Sequence, residues 1–293
     1  MELAAFLQGN AVALIAVVFV LGLLLGSFIN VVILRVPAML ERDWRAQCAE
    51  LTGTAEADDP EASERFGLLW PPSRCPACDH RIRAWENIPV ISWLLLRGRC
   101  SACGTRISPR YPIIELATAV LSAIVIWQLG WSAQGAAGLA LTWVLIALTG
   151  IDLDHHLLPD SLTLPTLWLG LLLSLGDVFV PSATAIVGAA AGYLALWSVY
   201  QIFRLVTGKE GMGYGDFKLL AMLGAWFGWK VLPLIVILSS FVGAAVGIAM
   251  IAGLGRHRDQ PIPFGPYLAA AGWIAMLWGE QLVNAYLRFA GIH

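Results

Sequence analysis

The sequence predicts an all-α polytopic membrane protein of about eight spanning helices, with a soluble, cysteine-bearing insert between the first two. Three observations predict it. Of 293 residues, 58% are hydrophobic and only 13% are charged, where a soluble domain carries about 25% charged residues. Mean hydropathy is +0.74, and the apolar residues gather in stretches that can cross ~30 Å of hydrocarbon. The basic residues gather in alternate connections between those stretches. A net charge of −2 gives no argument for a nucleic-acid partner.

The first apolar stretch, residues 11–34, holds 24 uncharged and mostly apolar positions. It reads as a retained span rather than a signal peptide, because only Glu2 precedes it, no Ala-x-Ala site follows and it is too long. A soluble insert occupies 35–111. Its middle, Ala49 to Arg65, is rich in Ala, Asp and Glu and reads as a helix or a mobile loop. The remaining uncharged stretches, cut at Gly, Pro and polar turns, are 112–129, 134–151, 161–176, 182–203, 217–229, 231–254 and 264–287, and together they form a membrane domain over 112–293. No internal repeat or low-complexity run stands out.

Cationic residues orient the chain. Residues 35–111 carry eleven, the 204–218 connection three and the 255–263 connection two, so sixteen of the eighteen lie on one side. Basic loops mark the cytoplasmic side. Both termini then lie outside, and the 152–160 and 204–218 loops are cytoplasmic. Asp152 ends the third span and Asp216 begins the sixth on that same face, so the two carboxylates share a depth.

An ionisable residue at the end of a span is costly and marks a functional site. Two in separate helices that can meet point to an acid/base pair sharing a proton. Asp216 follows Gly211-Met212-Gly213-Tyr214-Gly215. These glycines let a backbone approach closely, which suits a peptide laid across the carboxyl; the competing reading is a flexible helix start that Asp216 caps. The glycines fit neither a dinucleotide fingerprint nor a phosphate loop. Asp160 reads as the cap of the fourth helix, Asp154 as a solvated charge, and His155 and His156 as interfacial side chains. Pro261-Ile262-Pro263-Phe264-Gly265-Pro266-Tyr267 reads as a rigid lead into the last span, and Gly26-Ser27 as small-residue helix packing. The thirteen tryptophans mark interfacial belts.

Cys75-Pro76-Ala77-Cys78 and Cys100-Ser101-Ala102-Cys103 form two C-x₂-C knuckles with 21 residues between them. Such knuckles can supply four thiolates to a tetrahedral Zn²⁺, at a separation slightly above the usual ~15–20 residues. Redox-active cysteines and unligated thiols are the alternatives; a cytoplasmic location argues against disulfides. Four Cys ligands leave no position for a reactive water, so the metal is expected to be structural. Arg74, Arg81, Arg83, Arg97 and Arg99 would offset thiolate charge. Cys48 reads as a small buried hydrophobe.

Gly26-Ser27-Phe28-Ile29-Asn30 with Arg35 and Pro37, the paired knuckles, Trp85-Glu86-Asn87-Ile88-Pro89, Arg110-Tyr111-Pro112, Leu158-Pro159-Asp160, Gly213-Tyr214-Gly215-Asp216 and Pro263-Phe264-Gly265-Pro266-Tyr267 occur in one order across nearly the whole chain. Together they resemble the bacterial type IV prepilin peptidase/N-methyltransferases, leader peptidases of the GxGD membrane aspartic protease type. The resemblance implies that Asp152 and Asp216 are the catalytic pair. It implies an inner-membrane enzyme that cleaves the basic leader of type IV prepilins and type II secretion pseudopilins after a Gly. The new N-terminal residue is then methylated from S-adenosylmethionine. Gly98-Arg99 stands where the family often has Gly-Lys before the third Cys, a pair tied to methyl transfer; charge is kept and group geometry is not.

In the mechanism expected, one carboxylate acts as general base on a water while its protonated partner donates to the scissile carbonyl. A membrane-held pilin precursor with a cytoplasmic leader brings its scissile bond to the depth of the pair. Two other classes compete: a cation- or proton-coupled transporter using the intramembrane aspartates, for which inverted repeats are lacking, and a membrane redox protein using the Cys pairs.

Overall fold

The computed structural model describes residues 2–53, 66–254 and 262–289. Most of the acidic stretch expected to be helix or loop (54–65), the 255–261 connection with Arg256, Arg258 and Pro261, and the C-terminal residues 290–293 lie outside the described residues. Among the described residues the protein is all-helical. Its helices are α1 (Glu2–Gly9), α2 (Ala11–Thr52), α3 (Ile91–Leu95), α4 (Arg110–Leu129), α5 (Ala133–His155), α6 (Asp160–Leu173), α7 (Ser182–Thr207), α8 (Tyr214–Phe227), α9 (Leu232–Leu254) and α10 (Gly265–Phe289), with a 3-10 turn at Ala84–Asn87. Each of the eight apolar stretches contains a helix. Among the described residues, five segments are long and apolar enough to cross a membrane: Ala11–Thr52, Arg110–Leu129, Ala133–His155, Ser182–Thr207 and Trp229–Met250. The chain divides into two compact units, Met1–Trp127 and Gln128–His293.

In the first unit, α2 starts at Asn10, whose side chain accepts the Ala13 N–H, and stops at Gly53, which turns left-handed at φ 66°. At ~1.5 Å per residue its 42 residues span ~63 Å. The helix expected over 11–34 therefore runs on as a rod through the start of the insert. Gly22 and Gly26 let α4 approach closely: a Cβ at Gly26 would lie 2.6 Å from the Glu115 Cα, and one at Gly22 2.7 Å from the Ala119 Cα. This is the small-residue packing expected at Gly26. Asn30 Nδ2 reinforces the crossing by donating to the carbonyls of Gly26 and Tyr111, both at 3.2 Å. One expectation fails here. The stretches 112–129, 217–229 and 264–287 are not uncharged, since they hold Glu115, Lys218 and Glu280; Glu115 is buried in α4, where its carboxylate accepts the Val90 N–H at 2.7 Å and a hydrogen bond from Ser27. A carboxylate so enclosed must be matched with donors, and these two supply them.

In the second unit α8 is the hub. From Asp216 to Phe227 nearly every residue is buried, against α6, α7 and α10. Gly188 and Gly192 of α7 face the carbonyls of Gly224 and Leu220, so close that a side chain on any of these glycines would meet backbone. Without a hydrophobic force between helices in lipid, such backbone proximity drives association. The Trp226 ring fills the space beside Gly170 and its Nε1–H donates to the Thr166 carbonyl at 2.8 Å, tying α8 to α6. Trp273 Nε1–H donates to Thr142 Oγ1 at 3.0 Å, tying α10 to α5. Interhelical bonds of this kind contribute on the order of 1 kcal/mol each in a bilayer.

Candidate functional site

Three helix ends of the second unit build the aspartate site. Helix α5, started by Ser132 (its hydroxyl accepts the Gly135 N–H at 2.9 Å), ends as His156 turns left-handed at φ 51° and donates its N–H to the Asp152 carbonyl. Asp152 thus sits in the last turn, and it is buried. Its Oδ2 accepts the N–H of Gly265, the first residue of α10, at 3.0 Å. Glycine is required there by space, since a Cβ would lie 2.6 Å from Asp152 Oδ2 and 3.1 Å from Leu158 Cδ2. Helix α8 begins at Gly213, and Asp216 is the third residue of its first turn, also buried, with its carboxyl bonded to the Gly213 backbone N–H. That contact is half of a capping box. The capping reading and the chemical reading of Asp216 therefore describe one residue.

The fold brings the two carboxyls together, and each lies within electrostatic range of the other. Leu158 marks the convergence: its side chain touches the bare backbone of both Gly215 and Gly265. The site is a buried carboxyl pair walled by two glycines at helix N-termini, with backbone N–H groups directed at it. Lys218, two residues beyond Asp216, pairs with Asp160 of α6 at 2.7 Å. Asp160 is therefore not the cap of that helix, as the sequence led one to expect. Pro159 holds the cap position, and Asp160 instead fixes the first turn of α8. Asp154, His155 and His156 are exposed, in line with expectation. Gly265 escaped notice. Its signal was the Pro263-Phe264-Gly265-Pro266 sequence, which reads as a rigid lead and nothing more.

The cysteine cluster belongs to the first unit. The Sγ atoms of Cys75, Cys78, Cys100 and Cys103 all lie within 4.8 Å of one another, with Cys75–Cys103 at 3.8 Å and Cys78–Cys100 at 4.0 Å. Tetrahedral bonds of ~2.3 Å to one zinc put sulfurs ~3.8 Å apart, so the donor set fits a single tetrahedral metal ion. The knuckles are two copies of one device, a short repeat that the sequence reading overlooked: Arg-Cys-x-Ala-Cys-x-x-Arg-Ile at 74–82 and 99–107. In each, backbone bridges join the two arginines (Arg74 to Arg81, Arg99 to Arg106). The N–H of the first Cys closes the loop onto a carbonyl further along the chain, Cys75 to His80 at 2.9 Å and Cys100 to Thr105 at 2.8 Å. The residue after the second Cys takes positive φ, Asp79 at 57° and Gly104 at 73°. Thr105 meets the Cys103 sulfur with its hydroxyl at 3.2 Å and with its N–H.

Glu86 links the knuckles. Its carboxylate accepts the Ser101 hydroxyl at 2.6 Å and the Arg83 N–H at 2.8 Å, and lies 3.2 Å from His80 Nε2. The Ser101 bond first, then Arg83, hold its carboxyl down at about 2. Gly98 adopts φ 63° and also packs against Trp93, whose ring a Cβ would meet at 2.8 Å. Arg99 beside it is exposed. Arg74 is engaged by Asp79 at 2.5 Å rather than left to the thiolates. Cys48 is exposed on α2, not buried as expected, because the long helix carries it beyond the packed part of the unit.

The chain thus holds a carboxyl pair at the ends of apolar helices and a separate four-thiol cluster, and comparison with known proteins shows the family. A prepilin leader peptidase/N-methyltransferase of Stutzerimonas stutzeri is 58% identical over 285 residues, covering 97% of this chain and 98% of the relative. The chain belongs to the type IV leader peptidase family. That family's profile matches residues 139–248, which hold both aspartates, and the bacterial peptidase A24 N-terminal domain matches 20–129, which holds all four knuckle cysteines. Leader peptidase relatives of the same printed name from Pseudomonas aeruginosa (53% identical, 99% of both chains) and Aeromonas salmonicida (56%, 93% of both) extend the likeness over nearly the full length. No solved structure matches the chain.

Proposed function

We propose that this leader-peptidase family member cleaves the leader of type IV prepilins and type II secretion pseudopilins with Asp152 and Asp216, then N-methylates the new N-terminal residue. The observation that carries the proteolytic reading is the meeting of two buried carboxyls at one glycine-walled point. One carboxyl takes a proton from water as it attacks the scissile carbonyl, and the other gives a proton to the carbonyl oxygen; the pair shares one proton and titrates as a unit. Gly265 orients Asp152 through its N–H. Gly213, with nothing nearer to its Cβ position than Asp216 Oδ2 at 3.8 Å, leaves room for an extended backbone beside Asp216, whereas Leu158 packs against Gly215. Burial keeps competing water low and strengthens each charge's influence.

The eight apolar helices all cross the inner membrane in this reading, with both termini periplasmic and the 35–111, 152–160, 204–218 and 255–263 segments cytoplasmic. The chain then divides by role into a first transmembrane helix (1–34), a cytoplasmic zinc-binding domain with four cysteine ligands (35–111) and a membrane protease domain (112–293). Both carboxyls lie at the cytoplasmic edge, where a membrane-held precursor presents the junction between leader and helix. Cys75, Cys78, Cys100 and Cys103 hold one structural zinc, consistent with their sulfur spacing. S-adenosylmethionine supplies an electrophilic methyl group to the new amine when bound, and Gly98 and Arg99 contribute to that second reaction. Purified protein in detergent, incubated with a prepilin with and without S-adenosylmethionine, tests both steps. Mass analysis should show loss of the leader in both samples and a gain of one methyl only in the second; an uncut precursor would refute the proposal.

A further inference from the structure

The insert carries an exposed apolar strip that neither reaction uses. Trp85, Ile88, Ile91, Leu94 and Leu95 are all exposed, Leu94 at 61% and Leu95 at 78%. Single exposed apolar side chains are ordinary, but five within residues 85–95 form a patch of the kind that covers something.

The structure fixes the level at which the strip sits. Between its two halves, Val90 is the centre of a γ-turn, with φ 60°, ψ −47° and the Ile91 N–H bonded to the Pro89 carbonyl at 2.5 Å. Positive φ in a β-branched residue is strained and persists only where the surroundings hold it. Glu115 holds it, by accepting the Val90 N–H at 2.7 Å. Glu115 is itself held from α2, by Ser27 and by Gly26 against its Cα. It stands five residues inside α4, whose 20 residues reach ~30 Å, no more than the hydrocarbon it has to cross. Five residues are ~7.5 Å of depth, and a helical side chain leans back toward the helix N-terminus. The Val90 amide therefore lies at about the hydrocarbon edge, and α3 starts at the next residue.

We propose that Trp85–Leu95 is an interfacial anchor that lies in the cytoplasmic leaflet, with phospholipid as its occupant. The inference rests on reading α4 as a span. Lipid fits better than protein for two reasons. The strip shares its depth with the start of an exposed stripe of α4 itself, Ile113 and Leu116, which continues inward at Val120 with helical spacing. Arg97 and Arg99, both exposed, follow the strip directly and match anionic headgroups, while Trp85 is a residue type enriched at that level. The consequence is positional: the knuckles that flank the strip in sequence are kept at the membrane surface, where a newly cut N-terminus emerges.

The test is photolabelling in nanodiscs of phosphatidylethanolamine and phosphatidylglycerol doped with a phospholipid carrying a diazirine near its carbonyl, with adducts mapped by peptide mass analysis. Adducts are expected on 85–95 at a level similar to the cytoplasmic half of the α4 stripe, and absent from 74–81. Glu115→Ala, which frees Val90, should lower labelling of 91–95 at least threefold while α4 stays labelled. Leu94→Ser/Leu95→Ser, at exposed positions that folding does not need, should do the same if Glu115→Ala fails to fold. A labelled α4 with an unlabelled 85–95 overturns the anchor and leaves the span intact. An unlabelled α4 stripe overturns both. A strip unlabelled by lipid but protected from hydrogen exchange by a prepilin overturns lipid in favour of a protein partner.

Discussion

Gly265→Ala isolates the contribution of geometry to the carboxyl pair. The added Cβ would lie 2.6 Å from Asp152 Oδ2 and 3.1 Å from Leu158 Cδ2. Ordinary contact begins near ~3.4 Å, so the carboxylate or the start of α10 must retreat by about 0.8 Å. Leu158 closes one direction, since it is also lodged against Gly215. A misplacement of ~1 Å at a reacting group costs roughly 10²-fold in rate, or about 2.7 kcal/mol of barrier at ~1.36 kcal/mol per tenfold. Gly265 lies outside the positive-φ glycines, so alanine fits its backbone, and helix propensity alone would favour it. The expected outcome is therefore a fall in kcat of about 30- to 100-fold with unchanged helical content and little change in melting temperature. Gly67→Ala, where nothing lies within 4 Å of the added carbon, should cleave like the parent. The assay is cleavage of a prepilin in detergent under single-turnover conditions. A kcat within threefold of the parent would show that Asp152 need not be held where Gly265 holds it, and would refute this account of the site.

Asp152→Asn and Asp216→Asn should each abolish cleavage, below 10⁻³ of the parent by the roughly 10²- to 10⁴-fold weight of acid–base groups, while Asp154→Asn, exposed in the last turn of α5, should retain most of it; wild-type cleavage by either of the first two removes that residue from the pair. Metal analysis of purified protein should give about one zinc per chain. Cys75→Ser should release it and weaken methylation more than proteolysis, and a metal-free protein indifferent to Cys75→Ser/Cys100→Ser in both activities contradicts that role. Glu86 is held at about 2 against an ordinary 4.5. Its depressed value means that its ties to Ser101 and Arg83 are intact above about pH 4.5 and lost as pH falls toward 2, so intrinsic-rate-corrected amide protection at Arg83 should fall over that window in the parent and be pH-independent in Glu86→Gln. Reporter fusions should place 152–160 and 204–218 in the cytoplasm and residue 293 in the periplasm; a cytoplasmic residue 293 breaks the eight-span reading.

What could be read from the sequence was what local chemistry encodes. An apolar run specifies a helix because lipid leaves backbone groups no other partner, so each of the eight runs contains a helix. Two C-x₂-C knuckles specify a four-sulfur cluster because each knuckle is a self-contained turn, and the thiols converge as expected. The aspartates were legible as costly residues at helix ends. Their meeting was not encoded locally. Gly265 reaches Asp152 across 113 residues, and Leu158 must touch Gly215 and Gly265 at once. Glu115 went unread inside a stretch taken as uncharged, and its role came only from the fold, which sets it under Val90, where it supports a turn that Val90 would not adopt alone. A carboxyl's partners are chosen by which helix ends pack together. That packing is decided by glycine faces such as Gly188 on Gly224 and Gly26 on Glu115, contacts whose worth lies in the absence of a side chain and becomes visible only when the opposing backbone is in place.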